Sequence, residues 1–357
     1  IKELEDIECF HGNILEDEIK SLLPRNGDFI LRKIEGKGGG KEILVTVKWN
    51  EDILDLKLRA KKTLKGGVLY TLDGRQKHTS IKDLIKKHQI SGGNVEYKGA
   101  SAMLLNPIAK QAWELRPDQV HSGKMKMRMG RSMNVAVKVI KKCVANEKAT
   151  TELQKEGTLM RKFNHPNVVR TFGMVIERDT IMVVMELISG GSLQSYVKKQ
   201  KNVSMEEKGS YAYDIANGLA YIHSLNCIHR DIACRNCLID VVKKQAKLSD
   251  FGLTRETPVH KILPSEKIPI RWIAPEVLKT FEYRNSADIY AFGILVWEIF
   301  SNGSTPFDTL TNAQIKEGIQ LETFRPKFPD GTPQDVVDTI NKCWQGDPNG
   351  RIPLSDV

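Results

Sequence analysis

Along residues 7–92, the hydrophobic positions follow a helical spacing in some segments and a period of two in others. Helical spacing over Glu16–Leu23 predicts a helix, which Pro24 ends because proline cannot continue the hydrogen-bond ladder. A period of two then predicts three strands, at Asp28–Ile34, Glu42–Trp49 and Ile53–Arg59. The first half of this region is therefore expected to be a helix followed by an antiparallel sheet.

A second helix is predicted to close the same region. The glycine-rich segment Gly36–Gly40 is typical of a turn and joins the first two predicted strands. Ser80 followed by Asp83 is similar to a capping box, which marks the start of a helix. Helix, central antiparallel sheet and helix together predict a small α+β domain.

The second half of the chain changes from strands to long helices. Val135–Lys138 predicts a strand, and a capping box at Ser204 opens a helix with one apolar face. That face consists of Ala212, Ile215, Ala216, Leu219 and Ile222. Ala287–Phe300 is apolar almost all round and predicts a buried helix that ends before Gly303. This order predicts a small β-rich lobe followed by a helical lobe.

Composition places the 357 residues among soluble globular proteins of two or three domains. The net charge of +10 is spread along the chain, so a solvated lysine-rich surface is favoured over attraction to acidic peptides or anionic membranes. No nucleic-acid-binding module is predicted.

The longest apolar run, Ile289–Trp297, is too short to span a bilayer. The six cysteines lack the spacing of a disulfide framework, which favours a reducing compartment.

The two ends of the sequence lack the usual signals. The chain begins at Ile1 without a signal peptide or an initiator methionine. It stops at Val357 without a helix-ending signal. We therefore expect a fragment of a longer protein.

Phosphoryl transfer is the chemistry that the most informative segment indicates. Ile228–Asn236 contains His-Arg-Asp, and Asp250-Phe251-Gly252 follows it. Asp231 is the predicted base for a substrate hydroxyl. Asn236 and Asp250 carry the oxygen atoms expected to hold Mg²⁺. In this order and spacing, the segments resemble those of a protein kinase, which implies a bilobal fold and ATP as the second substrate.

A buried lysine–glutamate pair is expected in the small lobe. Lys138 ends a strand, and Glu156 lies on the apolar face of the next helix, where a carboxylate needs a cation. Both are predicted catalytic residues, since the pair would position Lys138 for the nucleotide phosphates. By the resemblance, Met185 is the gatekeeper and the Glu186–Ile188 backbone binds adenine. The predicted ATP-binding residues are Ala136, Lys138, Met185, Glu186, Ile188 and Leu238.

Tyrosine, rather than serine, is the predicted acceptor. Serine/threonine kinases generally place a lysine two positions after the catalytic aspartate, where this chain has Ala233. Arg235 stands four positions after it, as in tyrosine kinases, and is predicted to be catalytic. Pro269 and Trp272 resemble the shelf that supports a tyrosine substrate. The resemblance also implies a Glu276–Arg351 ion pair, a bracing role for Asp288 and a packed, non-catalytic His229.

The N-terminal region resembles an SH2 domain. Phe10-His11-Gly12 and Gly27–Arg32 carry this resemblance, which makes Arg32 the expected phosphotyrosine-binding residue. With Leu104–Ile108 and Glu186–Gly191, the chain resembles the Fes/Fer family of cytoplasmic tyrosine kinases. The predicted organisation is an SH2 domain at 7–96, a linker at 97–114 and a kinase domain at 115–357. The kinase lobes are expected at about 115–187 and 188–357.

The family resemblance also implies partners and location. Tyrosine-containing proteins are the expected substrates, and phosphotyrosine-containing proteins are the expected partners of the SH2 domain. In this family an F-BAR and coiled-coil region precedes the SH2 domain. We expect that missing region to give peripheral membrane association, and the protein to be cytoplasmic or at the inner face of the plasma membrane.

The glycine-rich loop of kinases is missing from this sequence. No G-x-G-x-x-G lies between Trp113 and Lys138, and His121–Gly130 stands in its place. Three methionines and three basic residues cannot supply the same bare amides for phosphate, and the stretch is short for two full strands. Two explanations remain open, a missing exon or weakened nucleotide binding.

The activation segment also departs from the family pattern. No tyrosine lies between Asp250 and Glu276, and His260 aligns with the usual phosphorylated position. Thr257 and Ser265 remain as hydroxyls, and Glu266 could supply a fixed negative charge. Activation by tyrosine phosphorylation of this segment is therefore not expected.

The predicted phosphotyrosine pocket keeps Arg32 but changes its surroundings. Glu16, Ile34 and Asp55 stand where the family usually has arginine, serine and histidine. Two carboxylates would repel a phosphate. Low affinity for phosphotyrosine, or a role in bracing the kinase lobe, is the expected result.

Three functions are compatible with these features. The favoured one is a protein-tyrosine kinase, because none of its five central residues is missing. These residues are Lys138, Glu156, Asp231, Asn236 and Asp250. The alternative is a catalytically impaired pseudokinase or signalling scaffold, which the missing glycine loop would explain. A phosphotyrosine-binding adaptor is the third, and the altered Arg32 pocket argues against it.

Overall fold

The computed structural model describes the chain except residues 1, 15, 36–39, 65, 98, 116, 122, 128–130, 142–146, 177–179, 201, 264 and 267. Its helices are α1 (Lys2–Glu5), α2 (Glu16–Leu22), α3 (Ile81–Ser91), α4 (Glu147–Met160), α5 (Leu193–Lys199), α6 (Met205–Ser224), α7 (Pro275–Thr280), α8 (Asn285–Phe300), α9 (Asn312–Gly318) and α10 (Gln334–Cys343).

The strands up to residue 121 are β1 (Asp28–Glu35), β2 (Lys41–Trp49), β3 (Asp52–Lys57), β4 (Arg59–Lys62), β5 (Val68–Thr71), β6 (Val95–Tyr97), β7 (Ala100–Ala102), β8 (Asn106–Pro107) and β9 (Val120–His121). Those that follow are β10 (Lys124–Lys126), β11 (Ser132–Lys141), β12 (Thr171–Ile176), β13 (Thr180–Glu186), β14 (Cys227–Ile228), β15 (Cys237–Asp240), β16 (Gln245–Leu248), β17 (Arg255–Glu256), β18 (His260–Lys261) and β19 (Glu282–Tyr283).

The chain divides into two compact units. Unit 1 comprises Ile1–His121, Val139–Asn146 and Gly173–Met182. Unit 2 comprises Ser122–Lys138, Glu147–Phe172 and Val183–Val357. Within the described residues, no helix has the length and apolar character needed to cross a bilayer.

Unit 1 contains a four-stranded sheet in the order β3-β2-β1-β8. The first three strands are antiparallel neighbours, with Phe29 opposite Val47, and β8 runs parallel to β1. Side chains of period two bury one face in a core of Phe29, Leu31, Val45, Val47 and Leu56, joined by Leu84 of α3. The predicted order of helix, antiparallel sheet and helix is present.

Strand boundaries in unit 1 differ from the sequence pattern in two places. The predicted strand Ile53–Arg59 is divided at Leu58 into β3 and β4, and β4 pairs with β5 in a separate ribbon. The amides of Leu105 and Asn106 both donate to Gly27 O at 2.9 Å, which brings β8 beside β1. These residues lack a strand-like pattern, so the sequence did not predict their place in the sheet. The predicted turn Gly36–Gly40 lies almost wholly outside the described residues.

Unit 2 is built around two helices. The capping box at Ser204 is present, and the predicted apolar face of α6 is buried. Helix α8 is buried on nearly every side, because its sequence offers apolar residues all round. Near its start, Asp288 is fully buried, and Glu298 is fully buried near its end. Both polar groups therefore need partners within the protein.

Candidate active site

The predicted lysine–glutamate pair is present in unit 2. Lys138 Nζ on β11 donates to both carboxylate oxygens of Glu156 on α4, at 2.7 and 2.8 Å. Glu156 is buried beside Leu153 and Met160, as the helical spacing indicates. Burial raises the pKa of Glu156, and the bonds from Lys138 oppose that rise. The lysine is thus held in one position by an otherwise costly buried carboxylate.

Asp250 lies next to this pair. A Cβ atom added to Gly252 would be 3.5 Å from Asp250 Oδ1 and 3.7 Å from Glu156 Oε2. The carboxylates of Asp250 and Glu156 therefore both lie close to Gly252. Phe251 is buried against Phe163 and His229, with ring centroids 5.1 and 5.2 Å away. This packing holds the backbone that carries Asp250.

The segment His229–Asn236, here called the catalytic loop, is anchored by the buried Asp288. Its carboxylate accepts the amides of His229 and Arg230 at 2.8 and 2.9 Å and contacts His223 Nε2 at 3.0 Å. Burial alone would raise the pKa of Asp288, but these partners hold it below its ordinary value. Arg230 has φ of +71° and Asp250 +60°, a backbone region that non-glycine residues rarely adopt. The bonds of Asp288 stabilise the strained loop.

His229 has the contacts of a packed, neutral histidine. It is fully buried, and burial lowers its pKa. The Nε2 atom lies 3.2 Å from Ser249 O, and Nδ1 lies 3.3 Å from the Asp231 amide. One nitrogen donates while the other accepts, the pattern of a neutral imidazole. This agrees with the packed role expected from the sequence.

Asp231 is held between Arg235 and Asn236. Arg235 Nη2 donates to Asp231 Oδ1, and Asn236 Nδ2 donates to Asp231 O at 2.8 Å. The amide and hydroxyl of Ser249 both donate to Asn236 O, at 2.9 and 2.7 Å. Since Ser249 precedes Asp250, these bonds bring the two predicted magnesium ligands close together.

The predicted adenine-binding residues lie on strands and connections of unit 2. Glu186 accepts from Lys247 Nζ at 2.7 Å, and Lys247 lies directly opposite Leu238 in the β15–β16 pair. Ile188 is buried. The side chains of Ala136 and Met185 are half-buried. The structure therefore brings Glu186 close to the strand that carries Leu238.

The segment His121–Gly130 is short for two full strands, but part of it does form a hairpin with β11. In it, Lys124, Met125 and Lys126 pair with Asn134, Met133 and Ser132. Val135 N also donates to Gly123 O at 2.8 Å, with Gly123 at a φ of +71°. Met125 points into the protein while both lysines are exposed. Residues 122 and 128–130 of this segment lie outside the described residues.

Arg230 contacts an acidic group of the activation segment. Its Nη2 atom donates to Glu266 Oε2, and its Nη1 atom donates to Leu253 O at 3.3 Å. His260 Nε2 lies 3.0 Å from Glu266 Oε1. Burial opposes ionisation of Glu266, but Arg230 and His260 outweigh it and lower the pKa of Glu266 to about 2. The carboxylate thus remains charged where the sequence anticipated a fixed negative charge.

The substrate side of the loop includes a residue that the sequence analysis missed. Glu298 accepts the Cys234 amide at 2.9 Å and Trp272 Nε1 at 2.8 Å. Arg235 lies over the Trp272 ring, with 4.1 Å between its guanidinium carbon and the ring centroid. The signal that could have indicated Glu298 is a carboxylate, the second after Asp288, in the otherwise apolar helix α8. The expected Glu276–Arg351 pair is also present, with N–O distances of 2.6 and 2.7 Å.

A second arginine site lies in unit 1. Arg32 Nε donates to Thr46 Oγ1 at 2.8 Å, and Arg32 Nη2 donates to Asp55 Oδ2 at 2.6 Å. Thr46 Oγ1 donates in turn to Asp55 Oδ1 at 2.5 Å. Thr46 lies directly opposite Asp55 in the sheet, so three adjacent strands contribute one residue each. Glu16 is exposed and Ile34 half-buried. Of the two carboxylates expected near Arg32, Asp55 contacts its guanidinium.

Comparison with known proteins places this geometry in context. The family described as "Protein tyrosine and serine/threonine kinase" matches residues 118–357. Fer-related kinase 1 of Caenorhabditis elegans is 31% identical over 373 residues, covering 99% of this chain and 93% of the relative.

Two mammalian relatives are longer than this chain. Tyrosine-protein kinase Fer of Rattus norvegicus is 31% identical over 370 residues, covering 100% of this chain and 44% of the relative. The protein of the same name in Homo sapiens is 32% identical over 370 residues, with coverage of 100% and 44%. The chain therefore spans less than half the length of these two kinases.

Proposed function

This chain belongs to the protein kinase family, among the Fer-related tyrosine kinases, and on that premise we propose that it phosphorylates tyrosine in protein substrates. The transferred group is the γ-phosphoryl group of ATP. The observation that carries the proposal is the paired Lys138 and Glu156 with Asp250 beside them. A buried Glu156 needs a cation, and the lysine that it holds is the group that kinases place against the nucleotide phosphates.

The residues present fit ATP and Mg²⁺, which protein kinases generally use. Asn236 commits Nδ2 to Asp231 O, which leaves the amide oxygen Oδ1 for a metal. Asp250 supplies a carboxylate, and oxygen ligands suit Mg²⁺. Bound Mg²⁺ would neutralise charge that develops on the phosphates. Ala136, Met185, Glu186, Ile188 and Leu238 are the residues that we propose surround the nucleotide.

Asp231 would accept the proton of the tyrosine hydroxyl. In the resting arrangement its carboxylate accepts from Arg235, and Asn236 holds its backbone. Arg235 is itself stacked on Trp272, so the group next to the base is oriented by the segment expected to support the substrate. Tyrosine is favoured over serine because position 233 is alanine and the cation near Asp231 comes from Arg235.

For unit 1 we propose an SH2 domain that docks phosphotyrosine through Arg32. The support is a buried arginine on the central strand of an antiparallel sheet with helices α2 and α3. Its contact with Asp55 supports low affinity, since a phosphate would have to displace a carboxylate. Phosphotyrosine-containing proteins are the proposed partners. We also propose a cytoplasmic location, with peripheral contact at the inner face of the plasma membrane.

The function is tested by ATP-dependent phosphorylation of poly-Glu/Tyr by this chain and by Asp231→Asn. Asparagine preserves the shape of the side chain but cannot accept a proton, so turnover should fall by about 10²–10⁴-fold, the usual contribution of a general base. Asp338→Asn, on the exposed surface of α10, is the matched control and should retain full activity. A serine-containing copolymer should accept little phosphate.

Equal turnover by the original chain and Asp231→Asn would remove Asp231 from its proposed role. Absence of turnover in a correctly folded original chain would instead favour the pseudokinase or scaffold alternative. Replacement of residues 123–130 by a glycine-rich loop would then separate a missing phosphate cover from other causes. Recovery of activity by that replacement would locate the defect in nucleotide binding.

A further inference from the structure

Glu298 occupies an unusual place for a carboxylate. It is fully buried near the end of α8, where almost all of its neighbours along the helix are apolar. A single oxygen, Oε2, accepts both the Cys234 amide and the indole N–H of Trp272. Glu298 therefore ties the catalytic loop to the segment that precedes α7.

This tie continues to the proposed base. Cys234 directly precedes Arg235 in the chain, and Arg235 stacks on the ring of Trp272. Arg235 in turn donates to Asp231. The same carboxylate oxygen of Glu298 therefore holds two groups next to Arg235. These are the amide of the preceding residue, Cys234, and the indole of Trp272 on which Arg235 stacks.

The arrangement costs folding free energy. Burial raises the pKa of Glu298 to about 7. Its Oε1 atom and Arg235 Nη1 are buried without a hydrogen-bond partner among the described residues. Glu298 bears these penalties while one of its oxygens holds two donors, the Cys234 amide and the Trp272 N–H.

We propose that Glu298 is a positioning residue for phosphoryl transfer, which sets the Trp272–Arg235 stack and through it the orientation of Asp231. The inference rests on the proposed kinase activity of the same site. Glu298 does not touch the reacting groups, and its contacts lie on the substrate side of the catalytic loop. It should therefore affect the acceptor tyrosine and leave nucleotide binding unchanged.

Two variants at position 298 separate geometry from charge. Glu298→Gln retains an oxygen that can accept both bonds, whereas Glu298→Ala removes the acceptor. We expect the glutamine variant to keep most of the activity and the alanine variant to lose about tenfold or more in kcat/KM for poly-Glu/Tyr. The KM for ATP should not change. An equal rise in both KM values would indicate general loosening of the fold and overturn the proposal.

A double-mutant cycle with Trp272 tests the path. Trp272→Phe keeps an aromatic face below Arg235 but removes the N–H donor, so it should reduce kcat/KM in the same direction as Glu298→Ala. Combining them should add little further loss, because both remove one connection. Fully additive losses would show that Glu298 and Trp272 act independently, contrary to the proposal.

One readout does not depend on turnover. In the full chain labelled with ¹⁵N-tryptophan, the Trp272 indole signal is assigned by its disappearance in Trp272→Phe. We expect slow hydrogen exchange of this N–H in the original chain and in Glu298→Gln, and fast exchange in Glu298→Ala. Fast exchange in the original chain would overturn the inference even if the kinase is active. Slow exchange without any turnover would contradict the proposed function alone.

Discussion

Two arginines of this protein, one in each unit, bind a carboxylate of the chain itself. The family resemblance makes Arg32 the expected phosphotyrosine-binding residue, and Arg230 contacts the activation segment, where the family has its usual phosphorylated position. Arg32 contacts Asp55 within the sheet of unit 1, and Arg230 contacts Glu266 within unit 2. In each case a side chain from another part of the sequence supplies the negative charge. Both sites are therefore electrostatically satisfied without a phosphorylated residue.

The two carboxylates differ in how firmly they are held. The Asp55 side chain is 41% exposed, and its protein partners are Arg32 and Thr46. Glu266 is 22% exposed and is contacted by Arg230, by His260 and by the amide of Leu263. An exposed carboxylate is more easily displaced by a ligand than one within a network. The comparison suggests a replaceable competitor in unit 1 and a permanent substitute for phosphate in unit 2.

Among the predictions from this comparison, the largest effect is expected from Glu266→Ala. Arg230 would lose its carboxylate partner, and the activation segment would lose one of its contacts with the catalytic loop, so kcat should fall by about tenfold or more. Phosphorylation of poly-Glu/Tyr measures the loss. The control is Glu256→Ala, which removes an acid of the same segment that pairs with the exposed Lys162. Equal activity of Glu266→Ala and the original chain would show that the segment does not depend on this acid.

A gain of binding is expected from Asp55→Asn. Removal of the charge frees the Arg32 guanidinium, so phosphotyrosine peptides should bind about tenfold more tightly than to the original chain. Calorimetry measures the affinity, and Asp52→Asn, which alters an exposed acid on the same strand, should leave it unchanged. Adding Arg32→Leu should abolish the gain. If Asp55→Asn binds no better than the original chain, Asp55 is not a competitor for the phosphate.

The smallest expected effect is a dependence of the folding stability on pH in the acid range. The pKa of Glu266 lies below its ordinary value of 4.5, at about 2, so its protonation favours the unfolded chain. Its contribution to stability is fully present above about pH 4.5 and is lost as the pH falls toward 2. The melting temperature of the original chain should therefore exceed that of Glu266→Gln above this range, and the difference should shrink within it. A constant difference across that range would contradict the ion pair.

Local sequence patterns were sufficient for much of the fold and of the candidate site. The order of Asp231, Asn236 and Asp250 along the chain indicated phosphoryl-transfer chemistry, and helical spacing paired Glu156 with Lys138. These features could be predicted because each depends on neighbours a few residues away or on one buried charge that needs a partner. Strand β8 could not be predicted in the same way, since it has only two residues and its place beside β1 depends on bonds from the Leu105 and Asn106 amides to Gly27 O.

The sequence by itself predicted which residues carry the chemistry, whereas the tertiary structure decided what holds them. Glu298 is 64 positions from Cys234, Glu266 is 36 from Arg230, and Asp55 is 23 from Arg32. Their partnership follows from how strands and helices pack, and no spacing along the chain encodes it. A carboxylate in a buried helix needs hydrogen-bond donors, and the sequence is enough to predict this. That Trp272 and the catalytic loop provide these donors depends on the tertiary structure.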